Sequence, residues 1–259
     1  MGAYIQVEKS EGIATVTINN PPLNVLSSYV LRELDEAFAE LAQDQEVTVV
    51  LFTGAGNKAF IAGADIKEFP QLIHNDNRKE YVMNLHQVFR RIEQFPKPTI
   101  ALLNGMTLGG GCEVALTFDM RVAEEHVRIG LPEVNLGIFP GGGGTQRLPR
   151  LIGTSKAKEM MFTGEPVSAE TAERIGLVNQ VVASGEGLFA ARELAKKIAK
   201  YSLQSLSRIK QAVSLGMERG LDEAIDLEAD LFCEVFSTED NKEGIQAFIE
   251  KRAPHFTNR

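Results

Sequence analysis

Residues 99–116 read TIALLNGMTLGGGCEVAL, and this stretch decides the fold. Its apolar start, residues 99–103, predicts a buried strand that turns at Asn104-Gly105. Three glycines, residues 109–111, then stand directly before a helical pattern that contains Glu113. Glycines there let backbone N–H groups approach a ligand, and a helix start adds a positive dipole end. The stretch predicts either an oxyanion-binding unit or a tight packing contact between helix and strand.

Strand-like and helical patterns alternate on both sides of this stretch, across residues 1–182. Period-two alternation in residues 4–8 and 13–18 predicts a hairpin, and residues 47–52 predict a buried strand. Residues 76–95 predict a helix that stops at Pro96. An earlier helix, capped by Ser27 or Ser28, carries an apolar face of Leu31, Leu34, Phe38 and Leu41. This alternation is typical of an α/β domain.

From Glu186 onward the pattern is helical, over residues 186–200, 203–217, 221–236 and 239–250. We therefore divide the chain into a β/α core, residues 1–185, and a C-terminal helical segment, residues 186–259. The third of these helices has more apolar residues than one solvent-facing helix needs: Leu221, Ala224, Ile225, Leu231, Phe232, Val235 and Phe236. Such a surface must be buried against the core or against a partner.

The charge balance and cysteine content limit the classes of function. Among 259 residues, 27 basic and 35 acidic side chains give a net charge of −8, which argues against nucleic-acid binding. No apolar run is long enough to span a bilayer, and the first residues lack a signal-peptide pattern. Cys112 and Cys233 are far apart, as expected for reduced thiols in a cytoplasmic protein. We expect no membrane association.

Several chemistries find no support in the sequence. The histidines (His74, His86, His126 and His255) match no metal-binding spacing, so we expect no metal. Cys112 stands beside Glu113, but without a nearby histidine it is read as a small buried filler rather than a nucleophile. Residues 141–144 are four glycines without the following Lys-Ser/Thr of a phosphate loop. We interpret them as a tight turn into a helix capped near Thr145.

Two further segments supply donors and acids. Ala62-Gly63-Ala64-Asp65-Ile66 follows the strand-like residues 59–61; its small side chains leave backbone donors accessible, and Asp65 can cap the next helix. One N–H from this segment and one from the triple glycine could bind a single carbonyl oxygen.

Glu133 follows Pro132 and precedes the apolar residues Val134, Leu136, Ile138 and Phe139. Apolar surroundings raise a carboxyl pKa, and a second carboxylate raises it further, so Glu113 and Glu133 could serve as acid and base together. The alternative is an ordinary Pro-Glu pair at a helix start.

The order of these motifs resembles the enoyl-CoA hydratase (crotonase) family. The resemblance covers essentially the whole chain and rests on residues 58–67 (KAFIAGADIK), 104–105 with 109–113, 132–133 with 136–137, 140–148 (PGGGGTQRL) and 250–252. It implies a spiral of repeated β-β-α units followed by a C-terminal helical trimerisation segment. The implied assembly is a homo-oligomer, a trimer or a dimer of trimers (hexamer).

The resemblance also implies a reaction. Hydratases of this family add water across the 2,3 double bond of a 2-enoyl-CoA thioester and give a 3-hydroxyacyl-CoA, as in fatty-acid β-oxidation. The amides of Ala64 and Gly110 match the oxyanion hole, and Gly141 matches the glycine beside the catalytic water. Glu113 would help activate that water, and Glu133 would supply the proton to C2. No cofactor is implied, since coenzyme A is part of the substrate.

Other family activities remain as alternatives: isomerase, branched-chain hydratase, decarboxylase or hydrolase, and a non-catalytic binding protein that keeps the fold. For substrate binding the motifs point to Ala62, Asp65 and Ile66. The predicted acyl slot consists of Leu23, Val25, Ile66, Phe69, Leu85, Phe139 and Phe248. For the CoA phosphates we expect cations from Lys58, Lys67, Lys251 and Arg252, with Lys251 acting on a neighbouring subunit's site; the alternative is that these are ordinary surface side chains.

Overall fold

A computed structural model describes residues 2–70 and 76–259 of the chain. The strands of the main sheet are β1 (Ile5–Ser10), β2 (Ile13–Ile18), β3 (Val49–Gly54), β5 (Thr99–Leu103), β7 (Met120–Glu124) and β10 (Gln180–Val182). They lie in the order β1-β2-β3-β5-β7-β10. The predicted hairpin of β1 and β2 is antiparallel, and the other neighbours pair in parallel.

A second, smaller sheet lies beside the first. Its strands are β4 (Ala59–Ile61), β6 (Met106–Leu108), β8 (Arg128–Gly130) and β9 (Val167–Ser168), in the order β4-β6-β8-β9. Only the β8–β9 pair among these is antiparallel.

The described helices before residue 185 are α1 (Ser28–Gln43), α2 (Arg78–Glu93), α3 (Gly110–Ala115), α4 (Gly144–Ile152), α5 (Thr154–Thr163) and α6 (Ala169–Arg174). Two 3-10 turns cover Ile66–Glu68 and Pro132–Leu136. The later helices are α7 (Gly187–Ala199), α8 (Leu203–Gly216), α9 (Leu221–Phe236) and α10 (Glu239–Glu250).

The chain passes repeatedly from the main sheet to the second sheet and then to a helix. β3, β4 and α2 form one such unit, and β5, β6 and α3 form the next. β7 and β8 lead into the second 3-10 turn and α4. This repetition confirms the predicted α/β class and the spiral of β-β-α units.

Local capping explains how the first helix begins. The Ser27 side chain accepts a hydrogen bond from the amide of Val30, so Ser27 is the N-cap. Val30, Leu34, Phe38 and Leu41 are buried along one face of α1. The predicted apolar face is confirmed except at Leu31, which is only half-buried.

Both faces of the main sheet are covered by apolar side chains. On one face Phe52 stacks on Phe118 with ring centroids 5.3 Å apart, and Phe38 meets Phe118 edge-on at 6.1 Å. On the other face, Leu51 of β3 belongs to a cluster with Ala191 and Ala195 of α7. All six residues of β3 are buried, and Val49, Val50, Leu51 and Phe52 are large and apolar. This composition is expected because a strand that is buried on both faces does not alternate with polar residues.

The first helix of the predicted C-terminal segment, α7, thus packs on the core sheet, while the division of the chain at residue 185 stays a prediction. Beyond it, α8 packs on α9, and α9 contacts α10. Buried Asp240 joins these helices to the chain end: it accepts hydrogen bonds from the hydroxyl of Ser202 and from the backbone amides of Thr257 and Asn258.

Several large apolar side chains on these helices are exposed in the single chain: Ile209, Val213, Met217, Leu221, Ile225, Phe232, Phe236 and Phe248. No helix within residues 2–70 and 76–259 combines the length and apolarity needed to cross a membrane.

One local prediction was wrong. Helix α4 begins at Gly144, its N-cap is Gly143, and Thr145 already lies inside the helix. The reason is the backbone of Gly143, whose φ of 105° is a conformation that favours glycine. The helix therefore begins two residues earlier than it would with Thr145 as its cap.

Candidate active site

The Ala64 and Gly110 backbones lie close together in the segments that follow β4 and β6, neighbouring strands of the second sheet. A Cβ atom built on Gly110 would lie 3.5 Å from the backbone nitrogen of Ala64. Ala64 forms a parallel bridge with Leu26, in which the Leu26 amide donates to Gly63 O (2.9 Å) and the Asp65 amide donates to Leu26 O (2.8 Å). Because these neighbours make the bridging bonds, the N–H of Ala64 points away from Leu26.

Two of the three glycines are needed for different reasons: Gly109 for its backbone angles and Gly111 because the Ile61 backbone lies too close for a side chain. Gly109 has φ 55° and ψ −126°, and its amide donates to Gly130 O. A Cβ on Gly111 would lie only 2.0 Å from the carbonyl oxygen of Ile61. Gly110 is the first residue of α3, so its amide has no acceptor within that helix. The predicted strand–turn–helix unit is confirmed, and it serves both packing and the exposure of a donor.

Glu113 lies in the first turn of α3 and is 3% exposed. Its Oε1 accepts hydrogen bonds from the amides of Gly142 (2.7 Å) and Gly144 (2.8 Å). Burial raises the pKa of the Glu113 carboxyl, while the two amides and Arg147 oppose that rise. The side chain is therefore a buried carboxyl held in one orientation by the segment that enters α4.

Glu133 is the second residue of the 3-10 turn, directly after Pro132. Burial, with a further contribution from the charge of Glu113, raises the pKa of Glu133 to about 7. Its Oε2 is buried, and no polar atom of the described residues makes a hydrogen bond to it. A buried oxygen of this kind is ready to bind a ligand or a water molecule. The raised pKa of Glu133 agrees with the expected direction. The apolar residues expected to surround it do not do so as predicted, because they are exposed: Val134, Leu136, Ile138 and Phe139.

Glu133 also lies next to the triple glycine. Its Oε1 is 3.3 Å from the place where a Cβ of Gly109 would stand, and that same Cβ would be 3.7 Å from the Cα of Gly63. One small region thus contains the two donor segments and both carboxyl groups. This arrangement can stabilise an oxyanion and exchange protons beside it.

Comparison with known proteins agrees with this geometry. The family model described as enoyl-CoA hydratase/isomerase matches residues 8–259. The chain belongs to the enoyl-CoA hydratase/isomerase family.

Individual relatives of this family match over nearly their whole lengths. A short-chain-enoyl-CoA hydratase from Clostridium acetobutylicum is 47% identical over 247 residues, which cover 95% of this chain and 94% of that protein. A crotonyl-CoA hydratase from Syntrophomonas wolfei is 42% identical over 256 residues, covering 98% of each. The crystal structure of an enoyl-CoA hydratase from Bacillus anthracis superposes with a TM-score of 0.94 at 38% identity, covering 99% of this chain and 100% of that one.

The other residues predicted to bind the substrate differ in their exposure to solvent. Leu23, Val25, Ala62, Asp65 and Phe69 are half-buried, and the Asp65 side chain accepts a hydrogen bond from the amide of Lys67, which confirms its capping role. Ile66 and Phe139 are exposed, by 59% and 72%. Leu85 packs against the main core.

The predicted cations lie at the surface. Lys58, Lys67 and Lys251 are exposed, and Lys251 is the C-cap of α10. Arg252 forms ion pairs with Glu243 and Glu250 within the same chain. Their contacts with a substrate, and that of the Gly141 backbone with water, stay predictions.

Sequence reasoning missed how the glycine loop (residues 141–144) holds Glu113. It also missed Arg147, which donates to Gly142 O (3.1 Å) and forms a bidentate pair with Glu93 (2.9 and 2.8 Å). A Cβ on Gly142 would lie 2.5 Å from Oε2 of Glu113 and 2.9 Å from Phe89. The run of four glycines was a usable signal for such close approach, whereas Glu93, 54 residues before Arg147, gave none.

The structure also bears on the cysteine and on the candidate metal ligands. Cys112 is buried, and burial raises the pKa of its thiol, so the thiolate needed for a nucleophile is disfavoured. In residues 2–70 and 76–259 no cluster of three or more His, Cys, Asp or Glu side chains could hold a metal ion. His74 lies outside the described residues.

Proposed function

We propose that this chain is an enoyl-CoA hydratase that adds water to a 2-enoyl-CoA thioester. The observation that carries the proposal is the placement of two carboxyl groups, Glu113 and Glu133, beside the neighbouring backbones of Ala64 and Gly110. Relatives named as hydratases, matched over nearly the whole chain, support it. Hydration of an enoyl thioester needs two donors, an acid and a base, and this site offers each of them.

The oxyanion hole is the first part of the mechanism. An isolated alkene resists attack by water, but conjugation lets negative charge move onto the thioester oxygen. The amides of Ala64 and Gly110 would donate to this oxygen as an enolate develops. Loss of one such donor costs about 10²–10³ in turnover in a protease example.

The two carboxyl groups divide the proton transfers. Glu113, held by Gly142 and Gly144, would accept a proton from water as its oxygen attacks C3. Glu133, whose pKa is about 7, would donate its proton to C2 of the enolate. The product is a 3-hydroxyacyl-CoA, and the proton taken by Glu113 must return to Glu133 or to solvent before the next turnover. The Gly141 backbone would lie beside the attacking water.

Binding of the rest of the substrate follows from the same motifs. Ala62, Asp65 and Ile66 would contact the thioester and its pantetheine, and Leu23, Val25, Phe69 and Phe139 would form the acyl slot. The exposed cations Lys58 and Lys251 suit the CoA phosphates, with Lys251 acting across a subunit boundary. The exposed apolar faces of α8, α9 and α10 support assembly into a trimer or a dimer of trimers. We also place the protein in the cytoplasm, in fatty-acid β-oxidation or a related acyl-CoA degradation.

A substrate panel tests the proposal. Purified protein is mixed with 2-enoyl-CoA thioesters of increasing chain length, and loss of absorbance of the conjugated thioester is followed. We expect hydration of crotonyl-CoA. Replacing Phe69 by a smaller or a larger side chain should change how the rate depends on acyl chain length. If the protein isomerised 3-enoyl-CoA but hydrated no 2-enoyl-CoA, the hydratase assignment would be wrong and an isomerase would be indicated. Sedimentation equilibrium separately tests the assembly, and a stable active monomer at micromolar concentration would contradict it.

A further inference from the structure

We propose that Arg147 is a positioning residue: paired with Glu93, it holds the glycine loop through the Gly142 carbonyl and so fixes the carboxylate of Glu113. The inference rests on the proposed function, because it concerns the carboxylate that would activate water. It assigns a task to an arginine and a glutamate outside the predicted site.

The contacts form one continuous path from α2 to Glu113. Nε and Nη2 of Arg147 donate to the two carboxylate oxygens of Glu93, at 2.9 and 2.8 Å. Nη1 of Arg147 donates to Gly142 O at 3.1 Å. The Gly142 amide in turn donates to Glu113 Oε1 at 2.7 Å. Gly142 is therefore held at both of its backbone polar groups, one by Arg147 and one by Glu113.

The loop is shaped to admit the guanidinium. A Cβ on Gly143 would lie 2.1 Å from Nη1 of Arg147, so a larger residue there would displace it. The Arg147 side chain is 17% exposed, which limits competition from water for its donors. A planar guanidinium can bind a carboxylate with two donors and still offer a third, whereas an ammonium cannot keep this geometry.

The charges around this path come from several elements. Arg147, from α4, interacts electrostatically with Glu113, and Glu113 in turn raises the pKa of Glu133, from the 3-10 turn, and of the buried Cys112 thiol, in addition to the effect of burial on each. From α2, His86 makes a hydrogen bond with the Gly141 backbone, and burial together with Arg147 and Arg90 lowers the pKa of His86. Arg147 lowers the pKa of Glu113, both by its charge and by holding the Gly142 amide in place.

The test compares Arg147→Gln with Arg150→Gln as the matched control. Arg150 lies three positions further along α4, where it is exposed and pairs with Glu218. For Arg147→Gln we expect kcat to fall about 10- to 100-fold, as a displaced catalytic group would cause, with KM changed little. The acid limb of kcat/KM should move to higher pH. Arg150→Gln should leave all three quantities unchanged.

Two further variants keep the test decisive if Arg147→Gln folds poorly. Arg147→Lys keeps the charge but not the bidentate pair, so its kcat should lie between those of Arg147→Gln and the native enzyme. Glu93→Ala keeps the arginine at position 147 and its charge but removes the carboxylate that orients it, so it should also lower kcat. The double variant of Glu93→Ala with Arg147→Gln should lose less than the product of the single losses, because both act on one contact.

A readout without turnover separates this inference from the proposed function. Protein labelled with ¹³C at glutamate carboxyl carbons is titrated by NMR, and the Glu113 resonance is the one missing from Glu113→Gln. We expect its pKa to be higher in Arg147→Gln than in the native and Arg150→Gln proteins. A folded Arg147→Gln with native kcat and native Glu113 titration would overturn the proposal. A native protein that fails to hydrate crotonyl-CoA would instead refute the function. The positioning role is then decided by the Glu113 titration in Glu93→Ala, which keeps the charge of Arg147: a raised pKa supports the role, and a native pKa contradicts it.

Discussion

Burial, with the added charge of nearby Glu113, raises the pKa of the Glu133 carboxyl to about 7. The two side chains belong to different units of the spiral, α3 and the 3-10 turn after β8, and each lies against a glycine segment: Glu133 beside Gly109, and Glu113 beside Gly142 and Gly144. Because both carboxyl groups are disfavoured as anions, a proton is available within the site near neutral pH. One carboxyl can then donate while the other accepts.

The pH dependence of hydration follows from these two shifts. The acid Glu133 must be protonated, so kcat/KM should fall as the pH rises through about 7. The base Glu113 must be ionised, so activity should also fall below its raised pKa, giving a bell-shaped profile. Initial rates with crotonyl-CoA across pH 5 to 9 measure this. A profile that stays flat through the neutral range would contradict the assignment of Glu133 as the acid.

The same shift predicts a change in stability that needs no substrate. A carboxyl whose pKa is raised on folding binds its proton more tightly in the native state, so its contribution is full at low pH and is lost as pH rises through about 7. Glu133→Gln should therefore raise Tm more at pH 8 than at pH 5. Glu8→Gln, at an exposed position on β1, is the control and should show no such difference. An equal effect of Glu133→Gln at both pH values would argue against the raised pKa.

Removing either carboxylate should remove most of the turnover. Glu113→Gln and Glu133→Gln each keep the side-chain shape but lose proton transfer, so we expect kcat to fall about 10²–10⁴-fold with little change in affinity for CoA. The two losses should not multiply in the double variant, because both groups act on one water molecule and one enolate. Steady-state kinetics and calorimetric titration with CoA measure these effects. Near-native hydration by either variant would remove that residue from its assigned role.

A methyl group on the glycine loop should disturb Glu113 directly. The Cβ of Gly142→Ala would meet Oε2 of Glu113 at 2.5 Å and Phe89 at 2.9 Å, too close for either to stay in place. We expect a large loss of kcat and a loss of stability of about 1–3 kcal/mol, typical of overpacking. Gly220→Ala is the matched control, since nothing lies within 4 Å of its Cβ. Native kinetics for Gly142→Ala would show that the loop can move without consequence.

Local sequence patterns predicted the elements of this fold well. Period-two strands, capping serines and glycine or proline breaks depend on neighbouring residues, and the structure has the hairpin, α1, β5 and all four late helices close to the predicted limits. Ser27 caps α1 and Asp65 caps the next turn as predicted. Thr145 failed as a cap because Gly143 adopts a positive φ that ends the turn early, and a run of four glycines hides where that happens.

Contacts across long sequence separations were less predictable. That Glu113 and Glu133 would share a site came from motif order and family resemblance, since local patterns do not reveal which loops meet. The hydrogen bonds from Gly142 and Gly144 to Glu113 span 29 and 31 residues, and the Arg147–Glu93 pair spans 54. The Glu93 position looks like an ordinary helix end in the sequence. Only the folded chain shows that it anchors the guanidinium behind the glycine loop.

The central claim is that this chain adds water to an enoyl thioester through Glu113 and Glu133. The most direct measurement is mass spectrometry of the product formed from crotonyl-CoA in ²H₂O and, separately, in H₂¹⁸O. We predict one deuterium at C2 and one ¹⁸O at C3, with both labels almost absent in matched reactions of Glu113→Gln and Glu133→Gln. Recovery of unlabelled crotonyl-CoA from the native enzyme, or equal labelling by the native enzyme and both variants, would contradict the account.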